Sequence, residues 1–213
     1  PLSAKKDNTL PEFLTQELID LAQTCRDFST NEMLPLANLE AAQARAQIRE
    51  AAKKAGLFSM TQPQEFGGTA AGQLALCVAR ETLAAANAPY MDAVFGPSPG
   101  VLASVDEPLK SSHLSALLAG EKRGSFGFTE ADDAPSPTSA VIDGDSLIIN
   151  GQKSYVTGGA DADFINTLVQ IENQGPSMVV IDRACDGVIL ERKFSSLDGS
   201  HHAVFQAVRD LNF

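Results

Sequence analysis

The first half of the chain carries hydrophobic residues at helical spacing. One run recurs at steps of four and three, which aligns its members on a single helix face: Leu14, Leu18, Leu21, Cys25 and Phe28. Thr9 and Glu12 have the spacing of a capping box and predict where this helix begins. The other predicted helices cover residues 39–55, 72–88 and 107–119. Pro97 and Pro99 interrupt the segment at 90–104, which therefore predicts a short or broken helix.

The pattern changes near Gly124, after which short β-prone runs alternate with turn signals. The dipeptides Asp143-Gly144 and Asn150-Gly151 each predict a tight hairpin turn. Strands are predicted at residues 141–142, 147–149, 155–157, 164–171, 177–181, 188–192 and 202–207. Helices first and strands second predict an α+β fold. We expect an N-terminal α-helical domain at residues 1–121 and an antiparallel β-sandwich or barrel domain at residues 122–213.

Charge and cysteine content narrow the classes of partner. The 213-residue chain has 16 Lys and Arg against 27 Asp and Glu, a formal net charge of −11. Such a charge repels nucleic-acid phosphates and anionic membranes, so we expect no nucleic-acid partner. The residue pattern predicts neither a signal peptide nor a membrane span. Cys25, Cys77 and Cys185 are far apart, and two of them fall at apolar positions of predicted helices. This distribution favours reduced thiols and a cytoplasmic location.

Taken one at a time, the polar residues do not define a catalytic site. The chain lacks the glycine-rich GxGxxG and Walker patterns and the GxSxG nucleophile motif. His113 is predicted to be a helix surface residue. His201 and His202 are neighbours, and on a strand they would point to opposite faces, so we expect no metal site there. Asp132 and the acidic residue after it are predicted to form a solvated loop.

At the junction of the two halves, several motifs follow one another in a recognisable order. These are Phe126-Gly127-Phe128-Thr129-Glu130, then Asp143-Gly144, then Asn150-Gly151-Gln152-Lys153-Ser154-Tyr155-Val156-Thr157, and finally Ala160-Asp161-Ala162-Asp163. The succession resembles the acyl-CoA dehydrogenase family, in which a "TEP" loop is followed by a "DG…NG-K-W-I-T-N-…AD" hairpin. Upstream, Gln62-Pro63-Gln64-Glu65-Phe66-Gly67-Gly68 is similar to that family's "IPEEYGG" turn.

The resemblance implies FAD as cofactor and α,β-dehydrogenation of an acyl-CoA thioester. It places Tyr155 at the family's usual Trp position against the flavin, Thr157 near N5 and Thr129 near the pyrimidine edge. An aromatic ring and a hydroxyl on one strand face suit stacking and a hydrogen bond. The full set of predicted cofactor-binding residues is Phe126, Phe128, Thr129, Tyr155, Val156 and Thr157. The implied partners are an electron-transfer flavoprotein or similar acceptor and further copies of the chain.

The chain also departs from the family pattern. The family's proton-abstracting carboxylate lies in a C-terminal helical domain, which we expect to be absent here, so we name no catalytic residue and expect this chain alone to be inactive. The family's "PGAGSD" loop is replaced by Ala131-Asp132-Asp133-Ala134-Pro135-Ser136. Two alternatives therefore stay open: a flavin oxidase or monooxygenase on the same fold, and a non-catalytic subunit of the same family.

Overall fold

A computed structural model describes residues 14–132, 134, 137–197 and 200–212. The chain divides into two compact units, one up to Ser98 and the other from Pro99 onward. The second unit therefore takes in the short helical turns that precede the strands as well as the strands themselves. The domain boundary that the sequence suggests, between residues 121 and 122, stays a prediction.

The first unit is helical, as its sequence periodicity predicts. Its helices are α1 (Gln16–Phe28), α2 (Ala41–Lys54) and α3 (Gln73–Ala85), and short 3₁₀ and π turns connect them. The side chain of Glu40 accepts a hydrogen bond from the Gln43 N–H and caps α2. Gly56 follows α2 with φ +75°, a conformation that favours glycine after a helix. The predicted capping box of Thr9 and Glu12 lies outside the described residues.

The core of this unit contains Cys25 and Phe28 from α1, Ile48 and Ala52 from α2, and Leu83 from α3. Burial raises the pKa of the Cys25 thiol to about 11, although the nearby charge of Arg26 opposes the shift. Cys25 therefore serves as a small apolar core residue. The same interpretation is wrong for Cys77, which is exposed on α3.

The second unit begins with irregular helical turns. A 3₁₀ turn covers Gly100–Ser104, a π turn covers Lys110–Leu114, and α4 (Ser115–Leu118) completes one regular turn. The predicted helix over residues 107–119 is thus shorter and partly π-helical. The broken conformation that Pro97 and Pro99 predict is confirmed.

Among the described residues from 124 onward, seven strands form a sheet. Its strands are β1 (Gly124–Gly127), β2 (Ser139–Asp143), β3 (Ser146–Thr157), β4 (Phe164–Ile171), β5 (Gly175–Asp182), β6 (Val188–Ser195) and β7 (His201–Asn212). The order is β1-β4-β2-β3-β7-β6, and β5 also pairs with β4. The predicted α+β class is confirmed. The sheet is mixed, however, because β4 pairs in parallel with β1 and β2, while the other pairs are antiparallel.

Only one of the two predicted hairpin turns forms. Asp143 pairs with Ser146 across a two-residue turn, and Gly144 has φ +60° there. The prediction at Asn150-Gly151 is wrong, since both residues lie inside β3 and pair with β7. A Cβ on Gly151 would lie 2.5 Å from the Cα of Thr138. Glycine is therefore needed here for a close approach of two backbones, and not for a turn.

Candidate functional site

The structure brings the two predicted cofactor-binding segments together. Ser125 Oγ at the start of β1 donates a hydrogen bond to the carbonyl of Thr157 at the end of β3, at 3.0 Å. In a second bond between the same segments, the Ser154 N–H donates to the carbonyl of Thr129 at 2.8 Å. These bonds hold residues 126–129 beside residues 154–157. The six predicted residues therefore lie along one seam, which we call the β1–β3 seam, between β1 with the two residues that follow it and the end of β3.

Three aromatic side chains of this seam are exposed. Tyr155 is 62% exposed, Phe128 56% and Phe126 49%, and we call these three residues the aromatic surface. Phe126 and Phe128 stack with ring centroids 5.9 Å apart and planes at 6°. Ser125 and Gly127, which alternate with these two residues along the chain, are buried. A Cβ on Gly127 would lie 3.0 Å from the Ile165 side chain, so only a very small residue fits there.

Tyr155 is presented by an irregularity in β3. The register with β7 shifts between Lys153 and Val156, and Tyr155 has φ +55°. A non-glycine residue in this left-handed region costs about 1–3 kcal/mol and is often found at functional sites. The Tyr155 ring meets Phe194 of β6 edge-on at 5.1 Å. The bulge leaves both Tyr155 and Thr157 exposed, so the predicted pairing of an aromatic ring with a hydroxyl is present.

Val156 differs from the other predicted site residues. Its side chain is fully buried and packs with Ala160, Ile165, Ala203 and Phe205 in the interior of the unit. It therefore offers a ligand only its main-chain groups. That any of the six residues binds a cofactor stays a prediction at this point.

Two polar contacts that sequence reasoning missed support this seam. Lys153 is buried, and its Nζ donates to Glu130 Oε1 at 2.7 Å and to the carbonyl of Phe128 at 3.3 Å. The same Glu130 oxygen accepts the Thr138 N–H at 2.8 Å. Burial works to raise the pKa of Glu130, but the bonds from Lys153 and Thr138 outweigh it and lower the pKa below its ordinary 4.5. Lys153 stands between Gln152 and Ser154 in the sequence, so no local pattern indicates that its side chain is buried.

The second missed contact involves His202 on β7. It pairs across the strands with Thr157, and Thr157 Oγ1 is hydrogen-bonded to His202 Nδ1 at 3.2 Å. The two residues are 45 positions apart, so no local pattern reveals the contact.

The predicted surface position of His113 is wrong. His113 is buried in the second unit, 3.0 Å from a carboxylate oxygen of Asp182 and edge-on to Phe164.

Within the described ranges, no group of three or more His, Cys, Asp and Glu residues is arranged to hold a metal ion. None of the helices in these ranges combines the length and hydrophobicity that a bilayer crossing requires.

The substituted loop after Glu130 is only partly described. Asp132 is exposed, whereas Asp133, Pro135 and Ser136 lie outside the described residues.

Comparison with known proteins assigns the chain to a family. The family model for the acyl-CoA dehydrogenase N-terminal domain matches residues 15–121, half of the chain. The chain belongs to the acyl-CoA dehydrogenase family. This membership agrees with the ordered motifs around the β1–β3 seam, which lie in the half of the chain that follows.

Individual relatives agree with this assignment. Human mitochondrial short-chain specific acyl-CoA dehydrogenase is 28% identical over 201 residues, covering 83% of this chain and 46% of its own length. Acyl-CoA dehydrogenase FadE29 of Mycobacterium tuberculosis is 32% identical over 173 residues, covering 74% and 43%. A Bacillus anthracis acyl-CoA dehydrogenase complexed with FAD has a similar fold, with a TM-score of 0.71, 22% identity, and coverage of 95% and 37%. The chain spans about half the length of these curated relatives.

Proposed function

We propose that this chain supplies the flavin-contacting part of an FAD-dependent acyl-CoA dehydrogenase. The complete enzyme would introduce an α,β double bond into an acyl-CoA thioester and pass electrons to an electron-transfer flavoprotein or a similar acceptor. The named relatives support this proposal, because they are acyl-CoA dehydrogenases and one of them is complexed with FAD. We also propose that the enzyme is a homo-oligomer, as the resemblance to the family implies.

The observation that carries the proposal is the exposed aromatic surface. The stacked Phe126–Phe128 pair and the Tyr155 ring stand exposed on the two segments that the Ser125–Thr157 and Ser154–Thr129 hydrogen bonds hold side by side. Large exposed apolar patches often mark a binding site. The isoalloxazine ring of FAD is flat and largely apolar, with polar atoms at its edges, and it suits a wall of this kind. The exposed hydroxyls of Thr129 and Thr157 add donors and acceptors at the border of the surface. The residues present therefore fit a flavin.

Each residue then has a defined task. The Tyr155 ring, fixed by its bulge and by Phe194, would offer a flat face for stacking. The Thr157 and Thr129 hydroxyls would hydrogen-bond the edge of the ring system. Lys153 and Glu130 would hold β3 against the segment that follows β1, without contacting the ligand. When bound, FAD would supply the acceptor for the hydride that leaves the substrate β-carbon.

Riboflavin tests this proposal, because it carries the ring system without the phosphates. Titration of the chain with riboflavin and with FAD, followed by flavin fluorescence, gives both dissociation constants. Tyr155→Ala should weaken both ligands alike by about tenfold, since an aromatic pair contributes about 0.5–1.5 kcal/mol beyond the area it buries. Tyr90→Ala, which changes a tyrosine of the first unit, is the matched control and should leave both constants unchanged. Unaltered affinity in a folded Tyr155→Ala variant would refute the assignment.

A further inference from the structure

The imidazole of His202 is held at both ring nitrogens and on one face, at the edge of the proposed flavin site. Its Nδ1 is hydrogen-bonded to Thr157 Oγ1 at 3.2 Å, and its Nε2 lies 2.9 Å from Ser196 Oγ and 3.1 Å from Ser200 Oγ. Phe194, its cross-strand partner on β6, stacks against the ring at 5.4 Å and 29°. A side chain bound at both nitrogens and one face has a single orientation.

This arrangement controls the hydroxyl of Thr157. A threonine hydroxyl has one hydrogen and two lone pairs, and its direction depends on χ1. The bond to His202 selects the rotamer that points Oγ1 toward β7. When a serine hydroxyl donates to Nε2, the Nδ1–H of neutral His202 donates to Thr157 Oγ1. The hydrogen of Thr157 is then left to donate to a ligand.

We propose that His202 is a positioning residue of the flavin site that acts through Thr157. This inference rests on the proposed function and assigns a role to a residue outside the motifs that carry the family resemblance. The Tyr155 ring lies 6.0 Å from His202 but is held by its own bulge and by Phe194 at 5.1 Å, so the effect of His202 is expected through the Thr157 hydroxyl. The flavin atom that Thr157 reaches would be an acceptor on the ring system that riboflavin and FAD share.

The competing explanation is that His202 only stabilises the sheet, as an ordinary cross-strand pair would. A double-mutant cycle on riboflavin affinity separates the two roles. Thr157→Val and His202→Leu should each weaken riboflavin by about threefold to tenfold, the range of one hydrogen bond. The double variant should bind within about twofold of Thr157→Val, because His202 has no hydroxyl left to position. A purely structural role predicts that the two losses multiply.

Two further variants make the test specific. His202→Asn places an amide near the position of Nδ1 and should retain riboflavin affinity within about twofold of the wild type. His201→Leu changes the preceding residue, which bonds to Ser195 instead, and should leave affinity unchanged. If His202→Leu does not fold, His202→Gln replaces it, since its amide reaches the Nε2 position and not Nδ1. The visible absorption bands of bound riboflavin should shift equally in the Thr157 and His202 variants.

The possible failures are distinct. If the wild-type chain binds neither riboflavin nor FAD, the proposed function is wrong and this inference falls with it. If riboflavin binds and the losses at Thr157 and His202 multiply, or His202→Leu has no effect, the role of His202 alone is refuted. Folding of every variant is checked by circular dichroism and by its urea unfolding midpoint.

Discussion

Lys153→Met tests the polar contact that joins the two site segments. Methionine retains most of the apolar stem of lysine but removes its charge and its hydrogen bonds to Glu130 and to the Phe128 carbonyl. The lysine side chain is 7% exposed and that of Glu130 is 29% exposed, so the pair is only partly screened by water. A hydrogen bond to a charged group contributes about 1.5–3 kcal/mol. In the variant, Glu130 still accepts the Thr138 N–H and is partly solvated, so its charge is not left without partners. We therefore expect the free energy of unfolding to fall by about 1.5–3 kcal/mol.

The loss is measured as the change in free energy of unfolding from urea titrations at pH 7. Lys193→Met, at an exposed position of β6, is the matched control and should change stability by less than about 0.5 kcal/mol. Glu130→Gln and the double variant complete a cycle. The coupling between Lys153 and Glu130 should exceed about 1 kcal/mol. A loss below about 0.5 kcal/mol for Lys153→Met, or additive single losses, would contradict the interpretation.

The same pair predicts a pH dependence. The folded-state pKa of Glu130 is lowered, so its ionised form stabilises the fold at pH values above the ordinary 4.5. That contribution is lost as the pH falls below 4.5 and through the folded-state pKa. In Lys153→Met the pKa of Glu130 should return toward its ordinary value. Stability should then fall less steeply below pH 4.5 in the variant than in the wild type.

Three other predictions concern packing, cofactor and activity. Gly151→Ala should cost about 1–3 kcal/mol of unfolding free energy, because the added Cβ meets the Thr138 backbone, whereas Gly72→Ala, with open space around it, should cost less. A midpoint unchanged by Gly151→Ala would count against this packing argument. The dissociation constants of FAD and riboflavin should lie within about tenfold of each other, because Asp132 puts a negative charge in the loop that would face the FAD phosphates. Calorimetry that showed FAD binding orders of magnitude more tightly than riboflavin would disprove this prediction. The purified chain with FAD should show no acyl-CoA-dependent dye reduction, because no residue matches the family's base, and general-base catalysis contributes about 10²–10⁴-fold. Measurable turnover would refute this expectation.

Local patterns in the sequence were enough to predict much of the architecture. The spacing of apolar residues predicts α1, α2 and α3, and alternation predicts β4 over the same residues that the structure shows, 164–171. Such patterns work because the period of a helix or a strand is set by its own backbone. The ordered motifs also indicated the family and selected two segments that the structure places side by side. Their role in binding a cofactor remains to be tested.

Contacts between distant segments were decided only by the tertiary structure. Asn150-Gly151 has the composition of a turn, but pairing with β7 and the approach of Thr138 keep it inside a strand. The sequence predicts His113 at the surface, whereas the structure places Asp182 of β5 beside its ring. The contacts of Lys153 with Glu130 and of His202 with Thr157 likewise join residues 23 and 45 positions apart. The energy of such pairs arises from burial and from partners that folding brings together, and no local periodicity encodes either.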